Sequence, residues 1–119
     1  MDIQAKFCII SKGKIEFIYQ KKKIPLTEIV MLKAEANYTY FHLLSGEKIL
    51  ISRTMKLFDV LLKDHPFTRI HRSYIVNDCH LKGYDAAKEC MMMSNNLQAQ
   101  ISRRKKRTLK YTTDFGKIL

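Results

Sequence analysis

The chain has little of what several large classes of chemistry require. Its 119 residues include only four glycines, and these make no Gly-rich loop able to cradle a nucleotide's phosphates. The three cysteines, Cys8, Cys79 and Cys90, are odd in number and widely spaced, with no C-x-x-C. That pattern suggests neither a disulfide framework nor a zinc knuckle and fits reduced thiols in a cytoplasmic protein. His80 beside Cys79, with Cys90 further on, matches no common ligand spacing, so neither a metal nor another cofactor is expected. Acids are scarce, 11 Asp and Glu in all, and no two stand at a spacing that suggests general acid–base work. No nucleophile elbow surrounds any serine, and His71 near Ser73 is proximity in sequence rather than a base–nucleophile geometry. The expectation is that the protein is not an enzyme. No apolar run approaches the roughly 18 residues of a transmembrane helix. The N-terminal "MDIQAKFCII" lacks the basic start and long apolar core of a signal peptide. No membrane partner is therefore expected.

Positive charge, in contrast, is abundant. Against those 11 acids stand 22 Lys and Arg, a formal net charge of +11. A fold does not need such an excess, whose self-repulsion opposes compaction, so a polyanionic partner is the simplest explanation, with nucleic acid ahead of anionic membrane or polyphosphate. The charge is also clustered. From Gln98 onward, seven Lys and Arg face Asp114 alone, Lys21-Lys22-Lys23 form a second group, and Arg69 and Arg72 a third. Each group has a bland reading as solvated surface; only the fold can bring such distant segments together.

Length and apolar content suit one domain, residues 1–119, with a single core and a basic C-terminal segment, 102–119. Short strands are expected at 5–10 and 14–19 around the Ser11-Lys12-Gly13 turn, then at 29–34, 38–44 and 47–52. "QKKKIPLTEI" reads as a basic loop. "TMKLFDVLLKD" shifts to helical period, placing Met55, Phe58, Leu61 and Leu62 on one face, with Thr54 as N-cap and Pro66 as the stop. Strands at 79–84, 89–93 and 97–101 follow, and a basic helix capped by Ser102 closes the pattern. The class is mostly β and antiparallel.

Two segments break the rules of a half-buried strand. In "RIHRSYIVN" (69–77), alternation would place Arg72 beside Ile70, Tyr74 and Val76, and neither face is clean. A turn or short helix at His71-Arg72-Ser73 resolves this and frees Arg72 to point outward. His71 is then expected to hold the turn by hydrogen bonding. In "EANYTYFHL", Tyr38, Tyr40 and His42 share one face and Thr39, Phe41 and Leu43 the other, with Tyr40 and Phe41 favoured for the core. Asn37 in the preceding loop suits contact with adenine or phosphate, and equally a left-handed turn. At the start of the last helix, Arg103 precedes the lysines, and arginine can bridge guanine O6 and N7 where lysine cannot.

Three segments together, "IVMLKAEANYTYFHLLSGEKILISRTM", "FTRIHRSYIVN" and "AQISRRKKRTLK", resemble the LytTR-type DNA-binding domain of bacterial transcription (response) regulators of two-component systems. The family pattern runs "I-x-x-I-E-A-x-G-N-Y", "F-x-R-I-H-R-S-Y-L-V-N" and "V-S-R-R", and the match extends from about Lys6 to Lys110. The resemblance implies an elongated stack of small antiparallel sheets, about ten short strands with one or two short helices. It also implies loops inserted into successive grooves of duplex DNA. Asn37 or Tyr38 would approach one major groove. Arg72 would reach the backbone or minor groove, and Arg103 with Arg104 the next major groove. Arg53, Lys56 and Lys105 are phosphate candidates from charge and position; Ser73 and Asn77 join His71 as structural residues of the site. Ala36 stands where the family often has Gly, and Gln100-Ile101 where it usually has Pro-Val. Direct-repeat sites occupied by two molecules are implied as well. Most relatives carry an upstream receiver or sensor domain, so the chain reads either as a stand-alone protein or as an excised C-terminal domain. The rival reading is an RNA or single-strand binder that stacks bases on Tyr38, Tyr40 and Tyr74.

Overall fold

The computed structural model describes residues 7–109; the start of the first expected strand and the basic residues Lys110 and Lys117 lie outside the described residues. Among the described residues, eleven strands form three antiparallel sheets. β1 (Cys8–Ser11), β2 (Lys14–Phe17) and β3 (Lys22–Pro25) make the first. The central sheet has five strands in the order β6-β5-β4-β8-β7. These are β4 (Ile29–Glu35), β5 (Tyr38–Leu43), β6 (Lys48–Ile51), β7 (Phe67–His71) and β8 (Tyr74–Asn77). β9 (Leu81–Asp85), β10 (Cys90–Met93) and β11 (Gln98–Gln100) make the third sheet. Helix α1 (Met55–Leu61) follows β6 and α2 (Arg103–Leu109) follows β11. The molecule measures 40 × 30 × 29 Å, longer in one direction, as three stacked sheets should be.

Two cores explain the stack. Strand alternation sends Leu32, Phe41, Ile51 and Ile75 to one face of the central sheet, where they meet Ile15 and Phe17 of the first sheet and Met55, Phe58 and Leu62 of the α1 region. Phe17, Phe41 and Phe58 meet edge to face, with centroids 5.2 Å apart for the first pair and 4.9 Å for the second. Such pairs add about 0.5–1.5 kcal/mol each beyond their buried area. The opposite face carries Val30, Met31, Ile70 and Val76 against Met91, Met93, Ala99, Ile101 and Leu109. A sheet with both faces covered cannot show the clean apolar–polar alternation of a half-buried one. The run "IVML" in β4, buried throughout, is the result.

Several expectations change. The lysine segment is not a loop: Lys22 and Lys23 pair with Phe17 and Glu16 in β3. A 3-10 turn at Asp78–His80 occupies the start of the strand expected at 79–84. Thr54 sits at the N-cap of α1 but its side chain makes no capping bond, and the helix ends before Pro66. Ser102 does cap α2, its Oγ accepting from the Lys105 N–H at 3.1 Å. Phe41 is core, but Tyr40 is half-buried on the other face with the Lys48 ammonium 4.3 Å from its ring centroid. "RIHRSYIVN" is two antiparallel strands, β7 and β8, joined by a turn at Arg72-Ser73, with His71 ending the incoming strand.

Candidate nucleic-acid interface

Register places the loops. Glu35 at the end of β4 pairs with Tyr38 at the start of β5, and Lys33 pairs with Tyr74 at the start of β8. Thr39 pairs with Ile51 at the end of β6. The turn at Ala36-Asn37, the β6–α1 junction at Ser52-Arg53 and the Arg72-Ser73 turn therefore lie at one end of the central sheet. The start of α2 joins them, because the Ser102 N–H donates to the Ile70 carbonyl at 2.9 Å. Segments separated by up to some seventy residues of chain are thus collected on a single edge.

The Arg72 turn is held from several sides. Ser73 N–H donates to His71 Nδ1 at 3.0 Å, and the Ser73 carbonyl accepts from Ala34 N–H at 2.8 Å. His71 Nδ1 must be unprotonated to accept, and burial, with Arg72 and Arg69 close by, lowers its pKa from the usual 6.5. Across from the turn, Arg104, Lys105 and Thr108 project from one face of α2. Together with Arg69, His71, Arg72 and Ser102 they line an open groove of about 710 Å³. No acidic residue lines it among the described residues. Neither of the two ion pairs among those residues involves Arg72, Arg103, Arg104 or Lys105. Those four side chains are exposed, so their charge stands free toward solvent.

The remaining residues fall into place individually. Asn37 and Tyr38 are exposed at the neighbouring turn. The left-handed residue there is Ala36, at φ 54, rather than Asn37. Arg53 lies over the Phe7 ring, 4.2 Å from its centroid, and its carbonyl accepts from buried Thr39 Oγ1 at 2.7 Å. Lys56 is exposed on the first turn of α1, and Arg103 is exposed at the start of α2 but outside the lining of the groove. Asn77 is elsewhere: it ends β8 at the opposite end of the sheet. There its Nδ2 donates to the Leu26 and Ile29 carbonyls at 3.2 and 2.8 Å, and its Oδ1 accepts from Cys79 N–H. Its work is to satisfy buried backbone, not to shape the turn. The lysine cluster is elsewhere too, since Lys22 pairs at 3.0 Å with Glu47 in the turn at that same far end.

Three tyrosines do not make one stacking platform. Tyr38 is 45% exposed, but Tyr40 lies beneath Lys48. Tyr74 packs against the second core and edge-on to His71. Sequence reasoning missed Arg69, which it counted as free charge. Its guanidinium is folded back onto the turn, and nothing short of the β7–β8 register signals that. It missed Thr39 as well, although a polar residue alternating with core positions Phe41 and Leu43 was the available hint.

Among the described residues no helix is long and apolar enough to cross a membrane. The family model described as the LytTr DNA-binding domain matches residues 19–113. A solved structure similar to this chain is the LytTr DNA-binding domain of a putative methyl-accepting/DNA response regulator from Bacillus cereus. The two share 22% identity over 87% of this chain and 91% of that one, with a TM-score of 0.65. No curated protein matches.

Proposed function

Since the chain belongs to the LytTr DNA-binding domain family, we propose that its loop-bearing sheet end reads duplex DNA sequence-specifically to regulate transcription in the bacterial cytoplasm. The observation that carries this is the groove where Arg72, from one end of the β7–β8 hairpin, faces Arg104 and Lys105 of α2. Cations from distant segments, unpaired with acids and fixed on a hairpin turn and a short helix, suit the regular phosphates of a duplex. In this reading Asn37 and Tyr38 approach one major groove. Arg72 takes the backbone or minor groove between, and Arg103 with Arg104 reads base edges in the next major groove. Arg53, Lys56 and Lys105 hold phosphates. Phosphate contacts set the register and the arginines select bases.

Pairs of molecules on direct repeats, and an upstream receiver or sensor domain supplying the signal, complete the proposal by analogy with the family. Selection of bound duplexes from a random library tests it. Recovery of a defined duplex motif, repeated at fixed spacing, is expected. Equal retention of unrelated duplexes, or preference for single strands, would overturn it. The single-strand reading draws less support, because only Tyr38 of the three tyrosines offers an uncovered ring.

A further inference from the structure

Arg69 lies in the proposed DNA-facing groove, yet all three of its guanidine nitrogens are engaged within the protein. Nη1 donates to Asp59 Oδ2 on α1 at 3.2 Å, Nε to the His71 carbonyl at 3.3 Å, and Nη2 to the Arg72 carbonyl at 2.7 Å. We propose that Asp59 and Arg69 form a positioning clamp that sets the direction in which Arg72 leaves the sheet, and so tunes how the turn engages DNA. The inference rests on the reading above, in which that turn contacts a duplex.

A two-residue turn at the end of a hairpin is the least constrained part of its strands, and a long arginine on it multiplies the loss of freedom on binding. Here the turn is tied on both kinds of backbone group. His71 Nδ1 takes the Ser73 N–H, while Arg69 takes the carbonyls of His71 and Arg72. Asp59 supplies what keeps Arg69 folded back: a carboxylate that competes with any phosphate for the guanidinium. The pair is partly exposed, with side-chain accessibilities of 26% for Arg69 and 47% for Asp59. Such pairs contribute little to fold stability, so the clamp can be altered without unfolding the domain. It also gives α1 a part in recognition, although Asp59 touches no DNA in this reading.

The decisive variant is Asp59→Asn in the full chain, measured by fluorescence anisotropy on a duplex recovered from the selection and on a scrambled duplex. Charge alone predicts tighter binding, roughly twofold for a unit charge about 10 Å from a phosphate. The clamp predicts the reverse: about fivefold weaker binding to the selected duplex, with a reduced ratio between the two duplexes. Arg69→Lys, which keeps the charge but gathers its donors on one nitrogen and so cannot span the positions that Nε, Nη1 and Nη2 reach, should weaken binding about tenfold, and Asp59→Glu should restore most of the affinity. Melting curves should be unchanged by all three. In an Arg72→Ala background, Asp59→Asn should add no further loss, since both act through one side chain. Unchanged or tighter binding by Asp59→Asn, with the duplex ratio intact, would overturn the clamp while leaving the groove reading in place, provided Arg72→Ala itself weakens binding. If Arg72→Ala binds like the parent, the role of the turn falls and the clamp falls with it.

Discussion

At the scale of single residues, the site is a matter of which cations are left free. Arg69 and Lys22 are paired with Asp59 and Glu47, whereas Arg72, Arg103, Arg104 and Lys105 are exposed outside any such pair. Arg103→Ala should therefore cost roughly 1–3 kcal/mol on a cognate duplex and relax preference at one base pair. Gel shifts with cognate and scrambled duplexes check this, and an equal loss on both would exclude base reading by Arg103. Histidine supplies a second residue-scale expectation. His71 is lowered by burial, then Arg72 and Arg69, and His42 by burial, then Lys48 and Lys33. A depressed folded-state value means that the unfolded chain takes up the proton first. Stability is thus fully present above about pH 6.5 and is lost as pH falls through the lower folded values. Melting temperature should drop on going from about pH 7.5 to 5.5, and His71→Gln should make that drop smaller.

Turns decide matters at the scale of elements. The turn between β4 and β5 carries Ala36 at φ 54, a left-handed conformation that costs a residue with a Cβ about 1–2 kcal/mol. Glycine removes that cost but adds about 0.5–1 kcal/mol of chain entropy to the unfolded state. Ala36→Gly should therefore stabilise the domain by roughly 0.5–1 kcal/mol, raising the melting temperature by about 2–5 °C. An unchanged or lower melting temperature would show that the strain is compensated elsewhere in the turn. Asn37 shares that turn and Tyr38 opens the strand that follows it, so any change in DNA affinity of this variant reports on turn shape rather than on lost contacts. The two short helices have different attachments. α1 is fixed by Met55 and Phe58 in the first core. α2 is fixed by Leu109 in the second, with the Lys106 ammonium 4.9 Å from the Tyr84 ring centroid. That inward turn of Lys106 leaves the helix face bearing Arg104 and Lys105 to the groove.

For the whole molecule, net charge and its placement set how affinity responds to salt. If about five phosphates are neutralised, log affinity should fall against log salt with a slope near −4 to −5. Replacing Lys21, Lys22 and Lys23 together by Ala should leave that slope nearly unchanged, because the Lys22–Glu47 pair places this segment at the far end of the central sheet. Salt titrations of both proteins on one duplex test this; a slope shallower by about three would place the cluster on the DNA.

Much of this architecture was legible in the sequence because it depends on short-range rules. Strand-length apolar runs, the helical period from Met55, and the turn residues between them are local signals, and "RIHRSYIVN" marked the turn at Arg72-Ser73 by failing to alternate. Ser102 was legible as a cap for the same reason, its partner lying three residues away. What the chain alone did not determine is which of its many cations stand exposed and unpaired at one end of the central sheet. That depended on register between strands far apart in sequence, which brings Arg72 opposite α2, retires Asn77 and Lys22 to the other end, and folds Arg69 back onto its own turn. Charge is a property of residues, but a free, directed charge exists only once packing has chosen its neighbours.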